Sequence, residues 1–405
     1  MRRSPLLPIF LIVLVDVLGF TIVIPLLPLY AETLGATPLI ATCITSVYAV
    51  CSLLSTPVIG NLSDKFGRKR LLLLSQAGTC AGFFVLAGAN ALWMVFLGRI
   101  IDGITAGNLA LAQAYISDHT KPEDRAKSFG IIGIAFGLGF MVGPGLGGYL
   151  GHIVAPSPLA PAAYPFLLAA ALSATSMLCT RMLLTNERPP QADPAMASGP
   201  GGRRPGAFDF ATYLAYFRRP GLGNLYLQFF LFTFSFSCFT SGMALFMQAR
   251  FNWDAQDTGI LFTYSGFLGI IWQGGVIGRL VKRFGDAPVA LAGMASAAVA
   301  YVVMGLSETV AMLVVAATMS SFGNGVIRPV LTAQITKAVG RHEQGVALGI
   351  SGSLSSFAMV MAPPTGGLLL DHAQLTGWAL VPAIVVTGAL VVAMVARTRA
   401  AEPAA

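Results

Sequence analysis

The sequence predicts an all-α polytopic membrane protein, with twelve transmembrane helices in two pseudo-symmetric halves of six. Three observations carry that prediction. Hydrophobic side chains make up 55% of the 405 residues and charged ones only 10%, where a soluble domain carries about 25% charged residues. Mean hydropathy is +0.74. The apolar residues fall in runs, and at about 20 residues per crossing twelve crossings leave room for short loops and one longer polar stretch near mid-chain.

The first span, 9–30, follows Met1-Arg2-Arg3 and continues into Pro25-Leu26-Leu27-Pro28. It has no small-residue cleavage site, so it reads as a retained helix, not a removable signal. Spans 2 to 6 follow at 40–60, 71–89, 91–117, 128–152 and 162–184. Segment 185–222 holds Pro189-Pro190, Gly199-Pro200-Gly201-Gly202 and Pro205 with little apolar periodicity, and reads as a flexible linker. Spans 7 to 12 lie at 223–248, 258–280, 287–306, 308–336, 345–370 and 377–396. The expected units are an N-terminal half, 1–184, the linker, 185–222, and a C-terminal half, 223–405.

Orientation follows from the basic residues. Loops after even-numbered spans hold Lys65, Arg68, Lys69 and Arg70; Lys121, Arg125 and Lys127; Lys282 and Arg283; and Lys337 and Arg341, while the linker holds Arg203 and Arg204. Loops after odd-numbered spans hold Arg250 alone. The positive-inside rule therefore puts both termini and the linker in the cytoplasm of a multi-pass protein of a bacterial inner (cell) membrane. The same distribution removes the nucleic-acid reading that a net charge of +8 invites, because no soluble face collects the charge. The five cysteines sit inside apolar runs as packing residues. No CxxC pair or histidine cluster marks a metal site.

The two halves repeat. At an offset of about 219, Ala114-Tyr115-Ile116-Ser117 meets Ala333-Gln334-Ile335-Thr336, Gly147-Gly148 meets Gly366-Gly367, and Pro144 meets Pro363. At 218, Gly60, Phe66 and Gly67 meet Gly278, Phe284 and Gly285. Parallel six-span halves fit a rocker with its substrate site at the midplane.

Two segments carry a family resemblance. Gly60-Asn61-Leu62-Ser63-Asp64-Lys65-Phe66-Gly67-Arg68-Lys69-Arg70 joins spans 2 and 3. Gly60 is expected to let helices approach closely, Gly67 to permit a tight turn, and Asp64 with Arg68 to form a breakable charge cluster joined by Asp118 and Arg125. The segment resembles the GxxxDxxGRR-type loop of the major facilitator superfamily, in which such groups latch one conformation. Its second-half copy has Lys282 where Asp64 stands and Asp286 where Arg68 stands. In span 5, Gly139 to Gly148 includes Gly143, Pro144 and Gly147 and resembles the GxxxGPxxGG element of the superfamily's antiporters. Gly143 and Pro144 are expected to bend this helix and the spaced glycines to admit a neighbour.

Asp16-Val17-Leu18-Gly19 with Pro25-Leu26-Leu27-Pro28, and Leu97-Gly98-Arg99-Ile100-Ile101-Asp102-Gly103, resemble segments of the drug:proton antiporters. Tetracycline exporters are the nearest branch, similar also in Ala91-Leu92-Trp93-Met94 and His342-Glu343-Gln344-Gly345. That branch carries acidic residues within spans 3 and 9; here 71–89 and 287–306 contain none. The resemblance implies a proton-coupled antiporter exporting a small amphipathic molecule. An uncoupled facilitator, or a lipid or sugar-conjugate exporter, stays open as the alternative.

Four ionisable residues fall inside spans: Asp16, Arg99, Asp102 and Arg328. A charge at that depth costs roughly 3 kcal/mol or more on insertion scales, so each is a functional candidate. Three residues apart on a helix, Arg99 and Asp102 can touch, as a structural pair or as part of coupling. On a continuous helix Ala106 and Gln113 would share their face. Asp16 has no cation on its own helix, so it is either a proton carrier or a hydrogen-bonded packing residue. Arg328 stands between Gly323-Asn324-Gly325 and Pro329, where an irregular helix is expected. It would attract an anionic substrate group or snorkel to the interface. Gln113, Gln228, Trp272 and Gln273 supply polar and aromatic contacts for a cavity. No nucleophile–base constellation or nucleotide loop appears, so no enzyme activity is expected. Also expected are a functional monomer in a lipid bilayer, a small-molecule substrate, protons as coupling ion and no other cofactor.

Overall fold

The computed structural model describes residues 6–119, 125–153, 163–184, 210–340 and 343–401. Among these it is helical throughout, with no strand. In chain order the helices are α1 (Leu6–Val23), α2 (Leu26–Thr33), α3 (Pro38–Phe66), α4 (Arg68–Ala87), α5 (Leu92–Ile104), α6 (Asn108–His119), α7 (Arg125–Ile153), α8 (Ala163–Leu183) and α9 (Phe210–Phe217). They continue with α10 (Leu222–Phe251), α11 (Ala255–Ile271), a π-helical segment (Trp272–Val276), α12 (Ile277–Phe284), α13 (Asp286–Gly305), α14 (Val310–Lys337), α15 (Gln344–Asp371) and α16 (Leu375–Ala401). Twelve helices, some built from two of these pieces, are long and apolar enough to cross a membrane. Each overlaps one predicted span.

Local chemistry explains the ends. Thr37 caps α3 by accepting from Ile40 N–H at 3.4 Å, with Pro38 in the first turn, and Thr309 caps α14 in the same way. Pro25 separates α1 from α2 because it has no N–H to continue the ladder. Lys69 donates to the carbonyls of Arg181 and Leu184 at 2.8 and 2.7 Å, closing the C-terminus of α8.

Two compact units form: Met1–Ala192 with Met243–Phe267, and Asp193–Gly242 with Leu268–Ala405. Chain order thus divides at the linker, whereas packing assigns the end of α10 and most of α11 to the first unit. Glycines on α7 account for that. A Cβ on Gly143 would strike the Thr21 side chain and one on Gly147 the Ile22 carbonyl, so one face of α7 lies against α1. A Cβ on Gly148 would strike the Ala255 carbonyl, and one on Gly259 would come within 2.5 Å of the Pro144 carbonyl, so a second face takes α11. The expected bend is not a break: α7 runs as one helix through Pro144.

Two further expectations are corrected. Part of the linker, Phe210–Phe217, is helical, with the Tyr216 side chain buried; residues 185–209 lie outside the described set. The irregularity expected beside Pro329 is absent, since α14 continues through it. Irregular backbone occurs instead at Trp272–Val276, where Gly274-Gly275 lowers the cost of leaving the α-helical ladder.

Candidate functional site

Inside the first unit, polar side chains from α1, α3, α4, α5, α6 and α8 converge. Arg99 donates from Nη1 to Asp102 Oδ2 at 2.8 Å, and both residues are almost fully enclosed, at 3% and 5% exposure. The Arg99 guanidinium lies 4.3 Å from the centroid of the Tyr48 ring, within cation–π range. Thr79 stands at the Asp102 carboxylate. Asp16 has Asn108 and Ser176 beside it and Asp102 as its acidic neighbour. Gln76 donates to the Ser176 hydroxyl at 2.7 Å, and Ser176 in turn donates to the Ile12 carbonyl at 3.2 Å. One oxygen of Asp16, Oδ1, is sealed from solvent without a hydrogen-bond partner, and so are Asn108 Oδ1 and Arg99 Nε.

The structure thus brings together Asp16, Arg99 and Asp102, which sequence spacing along separate helices could not. Tyr48, Gln76, Thr79, Asn108 and Ser176 were missed. Being uncharged, they were not among the residues whose burial in a span the sequence marks as costly.

Span 4 is discontinuous within this cluster. Between α5 and α6 the chain leaves the helix at Thr105-Ala106-Gly107. Hydroxyls on neighbouring helices donate to the carbonyls at the break. Ser55 donates to the Gly103 carbonyl at 2.8 Å, Thr56 to that of Ala106 at 3.2 Å, and Ser75 to that of Thr105. In lipid a non-helical turn persists only with such partners. The break interrupts the helix along which a shared face was expected: Gln113 lies on α6 and is exposed, whereas Arg99 and Asp102 on α5 are buried.

At the end of α3 a second cluster forms. Arg68 binds Asp64 at 2.5 Å, Asp118 at 2.9 Å and the Ser63 hydroxyl at 2.5 Å. Gly67 makes the intervening turn at φ 95°, a conformation that strains other residues. The side chain of Arg125 lies outside the described residues. Gly60 corrects another expectation, because a Cβ there would meet nothing within 4 Å; close approach is not its role. The second unit has a counterpart in which Lys337 holds Asp286 at 2.5 Å beside Gly285, itself at φ 86°. Relative to the first half the two charges have exchanged places.

In the second unit, the π segment lies along α14. A Cβ on Gly325 would stand 3.5 Å from Trp272 Cβ and 3.9 Å from the Gln273 amide nitrogen, and the Trp272 ring meets Phe322 edge-on at 5.0 Å. Gln228 is enclosed in α10 at 5% exposure, while Gln273 and Arg328 are accessible. Arg219 grips Glu343 through two parallel hydrogen bonds of 2.8 and 3.0 Å, with Tyr216 beneath the guanidinium at 4.3 Å, and so ties the chain after α9 to the start of α15. Those bonds hold the Glu343 carboxyl below the usual glutamate value. Among the described residues no cluster of His, Cys, Asp or Glu could hold a metal ion.

Comparison with known proteins fits this architecture. The Major Facilitator Superfamily profile matches residues 9–285 and 225–405. The chain belongs to the major facilitator superfamily. It is 31% identical to the class C tetracycline resistance protein of Escherichia coli, over 87% of this chain and 86% of that protein. It is 28% identical to multidrug resistance protein 1 of Bacillus subtilis (strain 168), over 87% and 86%. Among solved structures, the human organic anion transporter MFSD10 (TETRAN) shares the fold at TM-score 0.72 and 22% identity, covering 97% of this chain and all of that one. The nucleoside transporter NupG does so at TM-score 0.76 and 14% identity, over 99% of this chain and all of that one. This superfamily member is therefore a multi-pass membrane transporter of small molecules and not an enzyme.

Proposed function

We propose that this transporter is a proton-coupled antiporter that exports small amphipathic compounds across a bacterial inner membrane by alternating access, as a monomer with both termini cytoplasmic. One observation carries the coupling: Asp16 keeps an oxygen without a partner inside a polar cluster that already holds a closed Arg99–Asp102 pair. An ion pair occupied on both sides has no need of a proton. An enclosed carboxylate oxygen without a hydrogen-bond partner has one. Loading and unloading Asp16 would thus change the charge of the cluster by one unit per cycle, and Asp102 and Tyr48 would sense it through space. The similarity to tetracycline and multidrug resistance proteins supports export as the direction.

Uptake of ethidium and of tetracycline into inverted vesicles, with and without a pH gradient, tests this. Asp16→Asn should abolish gradient-driven accumulation while the protein still inserts. A mutant that accumulates substrate as before makes Asp16 a packing residue, and transport indifferent to the gradient makes the protein an uncoupled facilitator.

A further inference from the structure

Arg328 lies well within α14, nine residues before the helix ends at Lys337, about 13 Å at 1.5 Å per residue. It is packed deep in the protein, yet solvent reaches its side chain. A residue both deep and accessible lines a recess. Among the described residues no carboxylate faces it. The other interior arginine of the clusters described above, Arg99, has Asp102 as its counter-ion. An interior cation costs several kcal/mol unless something neutralises it, and here the fold supplies nothing.

What surrounds Arg328 indicates what does. Phe322, Gly325 and Arg328 stand at i, i+3 and i+6 on α14 and form a strip that winds about 120° round it from Phe322 to Arg328. The π segment lies along that strip, with Trp272 against Phe322 and Gln273 at Gly325. Trp272 Nε1 is buried without an acceptor, and an indole nitrogen only donates. On the other side of the segment, a Cβ on Gly274 or Gly275 would meet nothing within 4 Å, so the backbone there borders open space. An unpaired guanidinium, an unused N–H donor and an amide next to an aromatic pair are the complement of a group that accepts hydrogen bonds, carries negative charge and has an apolar body attached.

We propose that the recess between the π segment and α14 binds the anionic head of an amphipathic substrate, a carboxylate, sulfonate or phosphate group. Arg328 supplies the charge, Trp272 Nε1–H a hydrogen bond, and the Phe322–Trp272 pair a surface for the apolar part. Its significance for export rests on the transport reading above, but the binding step needs no proton gradient.

The full chain in phosphatidylcholine nanodiscs, without a gradient, would be titrated with three dyes that share one fluorophore: dansylglycine (anionic), dansylamide (neutral) and dansylcadaverine (cationic). A charge-assisted contact predicts that dansylglycine binds about tenfold tighter or better than the other two. Arg328→Gln should erase that difference by weakening dansylglycine far more than dansylamide, and Arg328→Lys should retain part of it. Trp272→Phe, which keeps the ring but not the donor, should weaken dansylglycine alone. Equal binding of the three dyes by the wild type overturns the proposal, as does a preference that survives in both Arg328→Gln and Trp272→Phe. Competition by added phosphatidylglycerol would assign the site to a lipid headgroup and also overturn the substrate reading. Should Arg328→Gln fail to fold, the Lys and Trp272→Phe variants decide. A protein that prefers the anion but ignores a pH gradient keeps this site and loses the coupling; one that couples without the preference does the reverse.

Discussion

Replacing Arg68 with alanine should destabilise the transporter far more than replacing Lys337, although the two occupy corresponding charge clusters. The Arg68 side chain is only 8% exposed and makes three contacts, to Asp64, Asp118 and Ser63. Hydrogen bonds to charged groups contribute about 1.5–3 kcal/mol each. Asp64 is 37% exposed, so solvent recovers much of that contact. Asp118, at 21%, recovers less. The net loss on truncation is about 3 kcal/mol, consistent with breaking one side of a largely buried pair. Lys337 is 64% exposed and makes a single ion pair with Asp286; such pairs contribute less than about 1 kcal/mol. Denaturant titration of the purified protein in detergent measures both losses. A double-mutant cycle of Arg68→Ala with Asp118→Asn should show coupling of about 1 kcal/mol or more. Equal losses for Arg68→Ala and Lys337→Ala, or strict additivity in the cycle, would refute the reasoning.

Other outcomes follow from the same geometry. Arg99→Ala and Asp102→Asn should each cost roughly 3–5 kcal/mol by stranding a buried partner, and the double variant should express and melt better than either; additive losses would show that the two do not interact. Because Arg219 holds the Glu343 carboxyl below its ordinary 4.5, the clamp on α9 should be intact above that value and fail as pH falls through the lowered one. The protection of the Phe210–Phe217 amides, corrected for the slower intrinsic exchange at low pH, should therefore fall as pH drops below about 4.5, and Glu343→Gln should remove that loss. Gly147→Ala would drive a methyl into the Ile22 carbonyl, which cannot move aside, and should abolish folding. Gly60→Ala meets open space and should leave the melting temperature unchanged.

The sequence made the helices legible because burial in lipid leaves a strong one-dimensional signal, and it made Arg99–Asp102 and Arg68–Asp64 legible because both are local in sequence. What it hid was tertiary compensation. Nothing in Gly103 to Asn108 announces a broken helix, since the hydroxyls that stabilise the break come from Ser55, Thr56 and Ser75 on other helices. Asn108 and Tyr48 drew no attention because their importance lies in which carboxylate or guanidinium they face. The face assigned to Gln113 rested on a helical wheel, which assumes the continuity that the break removes. The π segment was equally silent, its Gly-Gly pair being ordinary in a membrane helix.

The exchanged charges of the two turns, at Gly67 and Gly285, have an evolutionary consequence. Arg68 with Asp118, and Asp286 with Lys337, each find their counter-ion within their own half. The constraint acts on the product of the two signs, not on either sign, so a doubly reversed pair is as acceptable as its parent. After a duplication, one copy could drift through that inversion without renegotiating anything with its sibling. Grafting only one member of a pair from one half into the other would therefore place like charges face to face.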